Sequence, residues 1–117
     1  MTDQNTPLSQ LADPTLLKTG ALINGEWLAG DTQFAVTDPA TGQHLANVAN
    51  MGPKEAQAAI DAANAAWAGW RKTTAKQRAN IMRKWYDLLM ANQADLARIM
   101  TAEQGKPYTE ALGEIAY

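Results

Sequence analysis

A lone histidine, a run of basic residues and a scatter of glutamates are the side chains here with chemistry to offer. His44 could serve as a general base or a metal ligand, but no second histidine and no cysteine accompanies it. One imidazole makes neither a metal cage nor a nucleophilic triad. At the start of a strand pattern and beside a turn, His44 reads as solvated or bonded to backbone. The lack of cysteine removes a thiolate nucleophile, thiolate metal sites and disulfides from this chain, and it fits a reducing compartment.

Arg71, Lys72, Lys76, Arg78, Arg83 and Lys84 lie in a stretch without an acid. With Trp70 and Trp85 as stacking partners they could grip a phosphate backbone, and a small nucleic-acid binder of that kind would bind in a salt-dependent way. Both tryptophans fall on apolar helical faces, however, and the cations occupy the complementary positions, so a solvated helix face is the better reading. Gly105-Lys106-Pro107 lacks the glycine spacing and the hydroxyl of a phosphate loop. Glu110 and Glu114 share a helical face and repel each other unless an outside cation joins them. Glu103 completes that acidic group without making a site. No catalytic and no cofactor-binding residue can be assigned from these patterns.

The elements that would position these residues are legible. With 117 residues and 46% hydrophobic content the chain has the size of one domain. Much of the apolar content is alanine, so four Trp, five Met and the Leu and Ile positions must carry the packing. A net charge of −2 exerts no global pull toward nucleic acid or acidic membranes. No basic start followed by an apolar run marks a secretory leader, and no apolar stretch approaches membrane-spanning length. Cytoplasmic location, without a nucleic-acid or membrane partner, is the expectation.

Residues 1–20 are polar and interrupted by Pro7 and Pro14; they read as a loose arm with a short docked turn at Leu16-Leu17. Ala21-Leu22-Ile23 and Glu26-Trp27-Leu28 flank Asn24-Gly25, a dipeptide suited to a tight hairpin. Phe34-Ala35-Val36 and His44 through Val48 flank Asp38-Pro39-Ala40-Thr41-Gly42, which has turn chemistry at nearly every position. After Gly52 the period changes to helical. Pro53 and Glu55 suit a first helix, with Ala56, Ala59, Ile60, Ala63, Ala66, Trp67 and Trp70 on one side and fraying at Gly69. Thr74-Ala75-Lys76-Gln77 resembles a capping box for a second helix, whose apolar face is Ile81, Trp85, Leu88 and Leu89. Asn92 to Asp95 would cap a third helix with Leu96, Ile99 and Met100 inward, ended by Gly105. Tyr108, Ala111, Leu112 and Ile115 mark a fourth, which reaches Tyr117 without a stop signal and suggests truncation. Read alone, the chain is α+β: two short β-hairpins followed by about four helices. With few strands and no second sheet to cover the hairpins, it is not expected to be stable alone.

Several of these phrases together resemble the N-terminal region of aldehyde dehydrogenases. Ala21-Leu22-Ile23-Asn24-Gly25-Glu26-Trp27 looks like the opening strand and Val36-Thr37-Asp38-Pro39-Ala40-Thr41-Gly42 like the turn that follows. Ala59-Ile60-Asp61-Ala62-Ala63 with Trp70, then Thr74-Ala75-Lys76-Gln77-Arg78-Ala79, look like the first helices. Asp95-Leu96-Ala97-Arg98-Ile99-Met100 leads into Glu103-Gln104-Gly105-Lys106-Pro107. With Gly113-Glu114-Ile115-Ala116-Tyr117 the last phrase resembles the bacterial succinate-semialdehyde subgroup, and the glutarate-semialdehyde subgroup stays open.

The resemblance implies an α/β fold for the whole protein, with residues 21–117 as the truncated N-terminal portion of a Rossmann-like cofactor-binding domain and residues 1–20 as an arm. It implies an NAD(P)-dependent oxidation of succinate semialdehyde to succinate through a cysteine thioester. The thiol, the glutamate, the oxyanion donor and the NAD or NADP loops would all lie beyond Tyr117, so this chain alone should bind no dinucleotide and turn over nothing. Its expected partners are the remainder of its own polypeptide, a small aldehyde for the full enzyme, and further copies in a homo-oligomer. One ligand site carries over: a monovalent cation held by the backbone oxygens of Val36 and Thr37 and the side chain of Glu103, where many relatives have Asp. Trp27, Ile60, Trp67, Trp85, Leu88, Leu96 and Ile115 would serve burial. The rival reading is a non-catalytic helical interaction module that docks on a partner protein through its apolar faces.

Overall fold

A computed structural model describes residues 6–117; the first five residues of the expected arm lie outside that range. The chain is α+β, as the patterns imply. Four strands, β1 (Ala21–Ile23), β2 (Glu26–Leu28), β3 (Thr32–Thr37) and β4 (His44–Asn50), precede four helices: α1 (Pro53–Trp70), α2 (Ala75–Ala91), α3 (Gln93–Gln104) and α4 (Tyr108–Ala116). The strands form two separate two-stranded sheets, β1 with β2 and β3 with β4. By packing, the chain divides into two units. One holds the arm up to Lys18, Ala35–Ala46 and Lys84–Tyr117; the other holds Thr19–Phe34 and Asn47–Arg83.

In the second unit, β1 and β2 pair antiparallel with Ala21 opposite Leu28 and Ile23 opposite Glu26. Asn24 and Gly25 take φ of +50° and +80°. Positive φ at both central positions is what the tight primed turn demands, so the dipeptide sets the register. The Ala49 N–H donates to the Thr19 carbonyl at 2.8 Å, joining β4 to the chain just before β1. Helix α1 starts at Pro53, and the Gly52 N–H donates to the Glu55 carboxylate at 2.9 Å, closing the helix entry. The helix runs through Gly69 to Trp70 instead of fraying there. It packs on β1, and its half-buried positions are Glu55, Ala59 and Ala62. Ile60 and Trp67 lie about a third of a turn away at 3.6 residues per turn, and both are more than half exposed.

Helix α2 begins with the capping box that Thr74 and Gln77 were expected to form. The Gln77 N–H donates to Thr74 Oγ1 at 3.2 Å, and the Thr74 N–H donates to Gln77 Oε1 at 2.8 Å. Its apolar stripe is not inward: Ile81, Trp85 and Leu88 are exposed, and Leu89 is half-buried. Trp27, Ile60 and Trp67 are exposed in this chain as well; the burial that the resemblance implies for them, and for Trp85 and Leu88, concerns the complete protein. The spacing was read correctly as helical, but periodicity does not say which surface covers a face.

The first unit buries small residues. Ala97 and Ala102 of α3 and Ala111 of α4 are fully enclosed, so the two helices approach closely. The Gln93 side-chain amide donates to the Leu112 carbonyl at 2.9 Å and ties one helix to the other. Leu96, Ile99 and Met100, expected inward, are only half-buried, as are Leu112 and Ile115; the alanine face beside them is the one that packs. Asn92 does precede α3, but its side chain donates back to the Leu88 carbonyl instead of capping the helix. The arm is not loose over its described part. It forms two short 3₁₀ turns, Pro7–Gln10 and Pro14–Leu16, the first packs on α3, and Leu11 is buried.

Candidate functional site

The residues with the best case for holding a ligand are those of the expected cation site, and all of them belong to the first unit. Val36 and Thr37 close β3, and the chain then enters a tight turn. The Asp38 N–H donates to the Gln43 carbonyl and the Gly42 N–H to the Asp38 carbonyl, each at 2.8 Å. The buried Asp38 carboxylate accepts the Ala40 N–H at 2.7 Å. Glu103 sits in the last turn of α3. Gly105 ends that helix with φ +82° and donates its N–H to the Thr101 carbonyl at 2.9 Å. A Cβ placed on Gly105 would lie 3.0 Å from Pro39 Cγ, so the helix end rests directly on the turn that follows Thr37.

That contact brings the strand end and the helix end to one place. The carbonyl end of a helix carries a partial negative charge of roughly half an electron, and Glu103 adds a carboxylate in the last turn of α3. Backbone carbonyls with one carboxylate are hard oxygen donors, suited to a hard cation and not to a thiophilic one. The Thr101 hydroxyl, on the same helical turn, is buried and lacks a hydrogen-bond partner among the described residues. Glu103 itself is exposed. By donor chemistry the three residues fit a monovalent cation. A transition-metal site is a different matter: no cluster of three His, Cys, Asp or Glu exists among the described residues.

Other candidates resolve into structure. His44 is exposed at the start of β4. In the basic stretch, Arg78 donates to the Thr73 carbonyl at 2.7 Å and seals the turn between α1 and α2. Lys106 pairs with Glu114, so the cation that the Glu110–Glu114 pair needs comes from this chain and not from outside it. Glu110 lies in the first turn of α4, where a negative charge is favoured. The Gly52 N–H holds the Glu55 carboxyl below its usual pKa.

Asp95 was read as part of a cap, and its actual work was missed. Its carboxylate is buried and accepts the Ala12 N–H at 3.1 Å and the Asp13 N–H at 2.8 Å, more than eighty residues away in sequence. Arg98 reaches it at 3.3 Å, and the Arg98 guanidinium also lies 5.6 Å from the centre of the Tyr108 ring. The Asp13 N–H first, then that of Ala12, hold the Asp95 carboxyl below its usual pKa against the effect of burial, with Arg98 adding to the shift. A signal existed: Asp95, Ile99 and Ala102 fall on one helical face, so an acid sits in line with packing residues.

Residues 27–117 match the model of the aldehyde dehydrogenase family. The chain is 54% identical over 110 residues to the NADP(+) succinate-semialdehyde dehydrogenase of Escherichia coli (strain K12), covering 92% of this chain and 23% of that protein. It is 51% identical over 108 residues to the 3-sulfolactaldehyde dehydrogenase of Pseudomonas putida, covering 91% of this chain and 22% of the other. The crystal structure of succinate-semialdehyde dehydrogenase from Burkholderia pseudomallei superposes with a TM-score of 0.89 at 57% identity, over 92% of this chain and 23% of that one. The chain therefore spans under a quarter of the length of the curated relatives it matches.

Proposed function

The chain belongs to the aldehyde dehydrogenase family, and from that premise we propose that it is the N-terminal part of an NAD(P)-dependent enzyme that oxidises succinate semialdehyde to succinate in the cytoplasm. The observation that carries this reading is the collinear likeness to succinate-semialdehyde dehydrogenases along almost the whole chain. Residues 21–117 form the opening portion of the cofactor-binding domain, preceded by the arm, and their task is architectural. The remainder of the polypeptide supplies the thiol, since this chain has no cysteine, and it carries the sites for the aldehyde and the dinucleotide. When bound, NAD or NADP accepts the hydride. The enzyme acts as a homo-oligomer.

Within this portion, Val36 and Thr37 hold a monovalent cation with their carbonyls and Glu103 with its carboxylate, pinning the end of α3 to the end of β3. The exposed faces of α1 and α2 are covered by the rest of the polypeptide. Burial there would remove the exposed half of Ile60, Trp67, Ile81, Trp85 and Leu88 from water, and for each Ile or Leu it would contribute about half of the roughly 1.5–3 kcal/mol of full burial.

The test is a coupled one. The complete protein is assayed for NAD(P)H formation with succinate semialdehyde, glutarate semialdehyde and 3-sulfolactaldehyde, and residues 1–117 are assayed alone. Reduction of the dinucleotide with succinate semialdehyde as the preferred aldehyde, and none by the isolated chain, is the expected outcome. Preference for another of the three aldehydes overturns the substrate assignment. A complete protein that turns over none of them, yet forms a discrete complex with another protein, overturns the enzymatic reading in favour of an interaction module.

A further inference from the structure

The grip of Asp95 on the arm has an unusual form: a single buried carboxylate takes two adjacent main-chain N–H groups from a segment far away in sequence. Because it reads backbone and not side chains, it holds whatever stands at positions 12 and 13, provided both present an N–H. Position 14 is proline and has none to offer. The hydrogen bonds of Ser9 and Thr15 are internal to the arm: Ser9 donates to the Thr6 carbonyl, and Thr15 donates to Asp13 Oδ1. Leu11, next to the gripped pair, is buried, and the first 3₁₀ turn packs on α3. A terminal segment held mainly by short 3₁₀ turns opens at a lower free energy than the core it lies on.

We infer that the described part of the arm, up to Lys18, is a detachable strap, latched onto α3 by the Asp95 carboxylate, whose release uncovers the surface that Leu11 occupies. Arg98 steadies the latch from one side, and its cation–π contact with Tyr108 places the same guanidinium against α4. The strap, α3 and α4 therefore meet at one ion pair.

The experiment is amide hydrogen exchange on the complete protein, comparing wild type with Asp95→Asn and Ala12→Pro. Asn keeps the shape but turns an amide toward one of the two donors; Pro removes one donor and leaves the carboxylate intact. Exchange across residues 11–17 should accelerate at least roughly tenfold in Asp95→Asn, and by a smaller factor in Ala12→Pro, while α3 and α4 keep their protection. Unchanged exchange in the arm of both variants overturns the inference. So does loss of protection throughout α3 and α4 in Asp95→Asn, because Asp95 would then hold the core and not a strap.

Discussion

The pair α3–α4 and the helices α1 and α2 use their apolar residues in opposite ways. The pair closes its own contact with alanines: Ala97, Ala102 and Ala111 are enclosed although each contributes little area. Helices α1 and α2 carry the large side chains, and Ile60, Trp67, Ile81, Met82, Trp85 and Leu88 are all more than half exposed. Small residues let two backbones approach until nothing else fits between them; large ones on an open stripe need a surface brought to them. One region is finished within these residues. The other leaves its large side chains open.

The sharpest way to break that contrast is to delete a large side chain from the open face. Trp85→Ala should cost about 3–5 kcal/mol in the complete protein, where the proposal buries it. Denaturant melts of the complete protein decide it. A loss under about 0.5 kcal/mol, as at an exposed position, would show that the face is never covered.

The contrast also shows what could be read in advance. Hairpin turns, helix starts and helix stops are local, and Asn24-Gly25, the Thr74–Gln77 box and Gly105 were each legible because a few adjacent residues dictate the backbone there. Burial is not local. The stripe Ile81, Trp85 and Leu88 has core spacing, but the spacing cannot tell whether the covering surface lies within these residues. Asp95 failed for the same reason, since its partners stand more than eighty residues away and are main-chain N–H groups with no signature in the sequence. The proposed cation site rests only on the resemblance; its residues share no motif that composition or periodicity could find.

The finished region has a test of its own in Gly105. A side chain there meets a positive φ, costing about 1–2 kcal/mol, and a Cβ 3.0 Å from Pro39 Cγ. Gly42 has nearly the same φ but open space around it, so Gly42→Ala isolates the backbone cost. Gly105→Ala should therefore destabilise more than Gly42→Ala, by thermal melt of the complete protein. Equal losses would mean that the turn at 38–42 yields and that the helix end does not rest firmly on it. A smaller effect is expected at the entry to α2. Thr74→Ala removes the hydroxyl that accepts the Gln77 N–H and should cost about 1 kcal/mol, with Thr74→Ser restoring most of it.

The gentlest probe is pH, because it reaches the arm before it reaches the helices beneath. The Asp95 carboxyl is held below its usual pKa by the N–H groups of Asp13 and Ala12 and by Arg98, and the Glu55 carboxyl by Gly52. A group whose folded pKa is lowered adds stability above its unfolded value, near 4 for a carboxylate, and that stability is lost as pH falls through the folded value. Both contributions are therefore complete at neutral pH and flat above it. On acidification below about pH 4, Asp95 takes a proton on one of the two oxygens that accept the Ala12 and Asp13 N–H groups, while Arg98 keeps its charge. Arm protection should fall there, ahead of the α3–α4 contact, whose alanines do not titrate. The Asp95→Asn variant should show a fast-exchanging arm at every pH with no such step, so the step itself identifies the carboxylate. An arm that loosens only together with α3 and α4 would erase the distinction between a strap and the packing it lies on.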